Sequence, residues 1–267
     1  MPEIIANGIR HAYRLLGGDG NAPPVVLIAG MGGAASFWQP QLDAFAARRR
    51  VLVYDQRGTG GSAREPVRDI EQLADDLLAL LDDLGIARAD LVGHSTGGAI
   101  AQVIAARHPE RVRAAVLYAS VHRADAYRRR VWGLRKAILQ GLGPEIYAQT
   151  TSLFFYPPEY VAGHDQALAA VERRAAEGEI PSPQIMASRI DAILRFDIAA
   201  ELPGVRAPTL VCCAEDDMLT PAYFSREIAA AIPGARLEVW PRGGHAYSRS
   251  HPREFDGLVL DFLGGQG

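Results

Sequence analysis

The chain has 267 residues, 48% hydrophobic and 22% charged, a balance that excludes disorder and gives enough length to bury a sizeable core. Its formal net charge of −3 excludes a broadly basic nucleic-acid binder. No apolar run reaches the ~18 residues that span a bilayer, and Met1-Pro2-Glu3 opens no basic, then apolar, leader. The expectation is a cytoplasmic protein with a small-molecule substrate, no nucleic-acid or membrane partner, and a monomeric or homodimeric state. Cys212 and Cys213 are adjacent inside an apolar run, which argues against a disulfide framework and offers no metal-ligand spacing; no metal and no cofactor are expected.

The first element in chain order is a hairpin: Ile4-Ile5-Ala6, the turn Asn7-Gly8, then Ile9-Arg10-His11-Ala12-Tyr13. Short apolar runs follow at residues 25–29, 51–54, 89–92, 116–119, 209–213 and 237–240. They do not alternate, so they read as strands buried on both faces, as in a parallel sheet. Between them lie helical patterns. Ile70, Leu73, Leu77, Leu80, Leu81 and Leu84 recur at helical spacing, with Asp75, Asp76, Asp82 and Asp83 on the other face. Residues 98–107, 222–231 and 253–263 repeat the pattern. Strand then helix, repeated, predicts an α/β fold with right-handed crossovers.

One stretch breaks the alternation. Residues 123–199 contain helical patterns at 127–139, 167–176 and 186–194, Pro and Gly breaks, and the aromatic cluster Phe154-Phe155-Tyr156-Pro157-Pro158. They read as a helical cap over the sheet, which leaves residues 1–122 and 200–267 as the core domain. Arg128–Arg130 read as a solvated face of the cap, and Arg48–Arg50 as a helix end favouring the dipole.

The chemistry centres on Gly93-His94-Ser95-Thr96-Gly97. Gly-x-Ser-x-Gly alone is a weak signal. Here a strand runs straight into it and a helix leaves it, which is the setting of a nucleophile elbow. A serine hydroxyl needs a base. His245, on the Gly-rich loop after the last strand, is preferred over His251, which stands before Pro252 where a surface capping role is expected. The chain order Ser…Asp…His then points to the acid at the end of residues 209–213. Asp217 is preferred there and Asp216 is its rival. The oxyanion donors should be the amide of Thr96 and an amide of Gly30-Met31-Gly32-Gly33, that of Met31.

Gly30-Met31-Gly32-Gly33, Asp55-Gln56-Arg57-Gly58-Thr59-Gly60, Gly93-His94-Ser95-Thr96-Gly97, residues 214–221 and Gly244-His245, in that order, resemble the α/β-hydrolase superfamily over nearly the whole chain. The resemblance implies a mostly parallel sheet flanked by helices, with the cap inserted after the sixth strand. Ala29 departs from the His-Gly pair frequent there, which removes a side-chain prop and leaves the amide donor. A narrower resemblance, to the RutD-like hydrolases of the pyrimidine-utilisation (Rut) pathway, rests on Trp38-Gln39-Pro40-Gln41-Leu42, Leu153-Phe154-Phe155-Tyr156-Pro157, Asp216-Asp217 and Pro241-Arg242-Gly243-Gly244-His245-Ala246. It implies hydrolysis of a small ester, amide or carbamate-type compound, such as an aminoacrylate or carbamate. A general carboxylesterase or enol-lactone hydrolase is the alternative, and a non-catalytic binding protein on the same fold is the reading from another class.

Overall fold

The computed structural model describes residues 1–18 and 22–266. Its centre is an eight-stranded sheet in the order β1-β2-β4-β3-β5-β6-β7-β8. The strands are β1 (Glu3–Ala6), β2 (Ile9–Leu16), β3 (Val25–Ile28), β4 (Val51–Tyr54), β5 (Ala89–His94), β6 (Val112–Tyr118), β7 (Thr209–Ala214) and β8 (Arg236–Trp240). β1 and β2 form the hairpin, β2 pairs antiparallel with β4, and β3 to β8 are parallel. β3 has β4 on one side and β5 on the other, so the strand order reverses there. In an open parallel sheet that switch point leaves a crevice outside the carboxyl ends of the strands.

Helices cover both faces. α1 (Leu42–Ala46), α2 (Ile70–Asp83), α3 (Thr96–Arg107), α8 (Ala222–Ala231), α9 (Tyr247–Ser250) and α10 (Pro252–Gly264) belong to the core; α4 (Ala126–Phe155), α5 (Pro158–Gly163), α6 (Asp165–Arg174) and α7 (Pro183–Arg195) lie between β6 and β7 and form the cap. The two-residue period of β3 divides the interior. Val26 and Ile28 pack with Leu73, Leu77, Ile100 and Ile104, while Val25 and Leu27 pack with Phe45, Phe255 and Val259. This is why the strand runs read as continuously apolar. Among the described residues no helix is long and apolar enough to cross a membrane.

Several expectations change in detail. The strand expected at 116–119 starts earlier, at Val112, because its Arg113 side chain reaches a buried partner, Asp90, at 2.8 and 2.5 Å. β8 is only half-buried, as the sheet edge with β7 as its one strand neighbour. Asp76 does not face solvent with the other acids of α2. It is buried and accepts both Nε and Nη2 of Arg57 at 2.8 Å. Arg49 does not serve a helix end; it pairs with Asp90 at 2.5 Å. Arg128 is buried rather than solvated and donates to the Leu219 carbonyl at 2.7 Å. The break expected after residue 139 is a kink at Gly143, φ 83°, followed by Pro144, and the helix resumes to carry Phe154 and Phe155 on its last turn.

Asp256 of α10 is also buried, and its Oδ1 has no hydrogen-bond partner among the described residues. Burial pushes its carboxyl from 3.8 up to about 7. Between about pH 4 and 7 the native chain therefore holds a proton that the unfolded chain has lost, so this group lowers stability as pH rises through that window. Thermal melts of Asp256→Asn should match the parent near pH 4 and exceed it increasingly up to about pH 7, with a constant gain beyond.

Candidate active site

β5 ends in the elbow. Ser95 takes φ 54°, ψ −115°, and α3 begins at the next residue. A positive φ at a residue with a Cβ is sterically unfavourable and persists only where the surroundings impose it. Here the flanking glycines allow it. A Cβ on Gly93 would stand 2.3 Å from the Gly97 carbonyl oxygen, and one on Gly97 would stand 2.2 Å from that of Ile28. The Ser95 backbone is tied at both ends: its N–H donates to Tyr118 O at 2.8 Å, and its carbonyl accepts from Ser120 Oγ at 2.8 Å. Gln102 Nε2 in turn lies 3.1 Å from Ser120 Oγ. Ser120 and Gln102 carry no sequence signal of this role, because the bond spans two strands.

The ends of β7 and β8 meet through the pair Ala214↔Trp240. This brings Asp217 to His245: Nδ1 lies 2.7 Å from Asp217 Oδ2. A carboxylate only accepts, so Nδ1 carries the proton and Nε2 keeps its lone pair. Asp217 is buried and its other oxygen accepts from the amides of Leu219 and Thr220 at 2.7 and 2.9 Å. The Thr220 hydroxyl lies 2.7 Å from Oδ2 and 3.2 Å from His245 Nδ1. Thr220 is a further contact of this pair that the sequence did not reveal. Asp216 has a different task, accepting from Gly244 N at 2.9 Å and Gly243 N at 3.3 Å, and so holds the loop that presents His245. His251 is exposed and stacks on Tyr247.

His94 lies beside His245, ring centroids 4.6 Å apart, and stacks on Phe37. Its Nε2 is 3.0 Å from the His245 carbonyl, which also accepts from the Tyr118 hydroxyl at 3.0 Å. The carbonyl can only accept, so His94 Nε2 is protonated and Nδ1 is bare. Burial lowers its pKa well below 6.5 and keeps the ring neutral.

The loop after β3 lies next to the elbow because Ile28 pairs with Gly93. Its carbonyls are occupied: Ala29 O accepts from Gln56 Nε2 at 2.7 Å, Gly30 O from Gly33 N at 3.0 Å, Met31 O from Arg189 Nε at 2.7 Å, and Gly33 O from Gln56 N at 2.9 Å. Among the described residues neither the Met31 nor the Thr96 amide donates a hydrogen bond. The Ser95 hydroxyl has no hydrogen bond to His245 among them either, and the two residues meet as walls of one cavity.

A family model described as alpha/beta hydrolase fold matches residues 23–252. The chain belongs to this family. Among curated proteins it is similar to "Putative carbamate hydrolase RutD" of Azorhizobium caulinodans, 40% identical over 248 residues, 92% of each chain. The protein of that name from Stutzerimonas stutzeri is likewise 40% identical over 248 residues, 92% of this chain and 93% of the relative. Among solved structures it is similar to the enol-lactonase of Burkholderia xenovorans, with TM-score 0.90 and 32% identity over 98% of this chain and 99% of that one. The chain is a hydrolase of the RutD-like type.

The hydrolase cavity, about 440 Å³, lies between the strand ends and the cap. Ser95, His245, His94 and Met31 line its floor, and α4, α6 and α7 supply Trp132, Arg135, Tyr147, Glu172 and Met186. The cap also braces the floor. Arg189 of α7 is buried, and besides Met31 O it donates to Arg57 O at 2.9 Å and to Gln56 Oε1. With no carboxylate partner among the described residues, burial pushes its guanidinium down to about 10. Releasing Met31 O would free the peptide next to the Met31 amide. Arg189→Met is expected to lower kcat about 10- to 100-fold with KM little changed, and steady-state kinetics on a p-nitrophenyl ester checks this. A loss confined to KM would contradict it.

Proposed function

We propose that this hydrolase cleaves a small ester, amide or carbamate-type substrate through an acyl-enzyme at Ser95. The observation that carries the reading is Ser95 held at positive φ on the wall of the cavity that also presents His245, whose Nδ1 is fixed by Asp217. In this mechanism Ser95 Oγ attacks the carbonyl carbon and passes its proton to His245 Nε2. The carbonyl electrons move onto oxygen, where the amides of Met31 and Thr96 stabilise the negative charge. The bond to the leaving group then breaks and the leaving group takes the proton from His245. Water, deprotonated by the same Nε2, releases the acyl group and restores Ser95. Buried Asp217 keeps the imidazole in the tautomer that accepts from serine and stabilises the cation that forms.

The relatives' name, carbamate hydrolase, favours a small carbamate-type substrate, whose carbonyl carries a nitrogen leaving group. The second reading, a lactone or general carboxylic ester, is favoured by the enol-lactonase neighbour. A rate panel separates them: short p-nitrophenyl esters, an enol lactone, and a carbamate or aminoacrylate source, each with parent and Ser95→Ala protein. Slow ester turnover with fast, Ser95-dependent turnover of the nitrogen compounds supports the first reading. Fast ester or lactone turnover with none on the nitrogen compounds supports the second.

A further inference from the structure

Three arginines of the cap are almost fully buried: Arg128, Arg135 and Arg189, each 1% exposed. Two of them brace the site already described. Arg128 holds the Leu219 carbonyl, two residues beyond Asp217, and Arg189 holds Met31 O. Arg135 braces nothing comparable. Its Nη2 donates to Thr151 Oγ1 at 2.7 Å, while Nε and Nη1 are buried with no partner among the described residues. Its guanidinium lies 4.5 Å from the ring centroid of Tyr147, 5.1 Å from Phe154 and 5.3 Å from Trp132. One helical turn before it, the indole Nε1–H of Trp132 is also buried, with no partner among the described residues.

Arg135, Trp132, Tyr147 and Thr151 all line the cavity that reaches Ser95 and His245. Among the described lining residues the acidic side chain is Glu172, and it accepts from Ser152 Oγ at 2.5 Å instead of pairing with Arg135. Arg174 and Arg249 line the same cavity, so its wall carries an excess of positive charge. Native structures rarely bury a cation with donors unpaired, and an explanation for such a group is a ligand that supplies the missing acceptor. Aromatic faces stabilise the guanidinium without occupying its N–H groups.

We infer that Arg135, with Trp132 Nε1, forms an anion subsite in the cap, and that the substrate carries a carboxylate remote from the carbonyl attacked at Ser95. The inference rests on the Ser95 reading and narrows it from acyl compounds in general to acidic ones. On this proposal the carboxylate approaches from the cavity, whose wall both side chains line.

The test compares p-nitrophenyl hemisuccinate with p-nitrophenyl butyrate, which differ in the acid at the end of the acyl chain. The parent should prefer the hemisuccinate in kcat/KM by about ten-fold or more. Arg135→Met should lose that preference while its melting temperature stays level or rises, since a buried unpaired charge is removed. Arg135→Lys, keeping the charge, should retain part of the preference. A purely structural arginine would give a lower melting temperature and equal losses on both esters, which would overturn the proposal. Equal parent rates on both esters, lost in Ser95→Ala, would also overturn it and leave the Ser95 reading standing. Calorimetric binding of monomethyl glutarate to Ser95→Ala protein decides the subsite without turnover. Affinity that falls with Arg135→Met added supports it, and unchanged affinity overturns it. If the parent hydrolyses neither ester, the binding result alone judges the subsite, and the rate panel with Ser95→Ala judges the Ser95 reading.

Discussion

Ser95→Ala should lower kcat on short p-nitrophenyl esters by about 10⁴- to 10⁶-fold, leaving only what the oxyanion amides and binding supply. The change removes one oxygen and nothing else that holds the elbow together. The φ of 54° is imposed by the backbone ties to Tyr118 and Ser120, and alanine carries the same Cβ as serine. The melting temperature should therefore correspond to a stability change within about 0.5 kcal/mol. Labelling by a fluorophosphonate should vanish with the rate, because the labelled atom is gone. A variant that still turns over at the parent rate would overturn the acyl-enzyme mechanism.

Asp217→Asn should cost about 10⁴-fold in kcat, whereas Asp216→Asn should cost about ten-fold at most. The two acids are adjacent in sequence and divided in task. Asp217 Oδ2 faces His245 Nδ1 at 2.7 Å, and its Oδ1 is fixed by the Leu219 and Thr220 amides. In the asparagine variant the oxygen stays on those two amides and the NH₂ replaces Oδ2 opposite the imidazole. The ring must then turn Nδ1 into an acceptor and place its proton on Nε2, where it cannot take one from Ser95. Asp216 accepts from the Gly243 and Gly244 amides. Asparagine keeps an acceptor oxygen there, so the His245 loop is loosened without a change of tautomer. Steady-state kinetics of the two variants on one ester checks the division; equal losses would contradict it.

Local pattern carried much of this. The elbow was legible because a sharp strand-to-helix turn requires glycine on both sides of Ser95, and a short motif can encode that. The hairpin was legible from its Asn-Gly turn, the apolar strand runs because both faces of the sheet are buried, and α2 because burial in a helix acts on every third and fourth residue. The choice of His245 over His251 followed from a glycine-rich loop directly after a strand. Charged residues were where sequence reading failed. Asp76, Arg49 and Arg128 looked like surface groups, and each is satisfied by a partner that the sheet or cap brings from elsewhere in the chain.

The sequence by itself determined the α/β architecture, the elbow and its serine, and the short segments that carry His245 and Asp217. Those are properties of neighbours in the chain, set by backbone sterics and by the period of apolar residues. Only the tertiary structure decided that Asp217 rather than Asp216 meets His245, and that Thr220 and His94 join them. It also decided that Arg189 braces the Met31 loop while Arg135 lines the cavity with Nε and Nη1 unpaired among the described residues. These depend on which strand ends and cap helices converge, and a hydrogen bond between residues far apart in the chain leaves no periodicity to read.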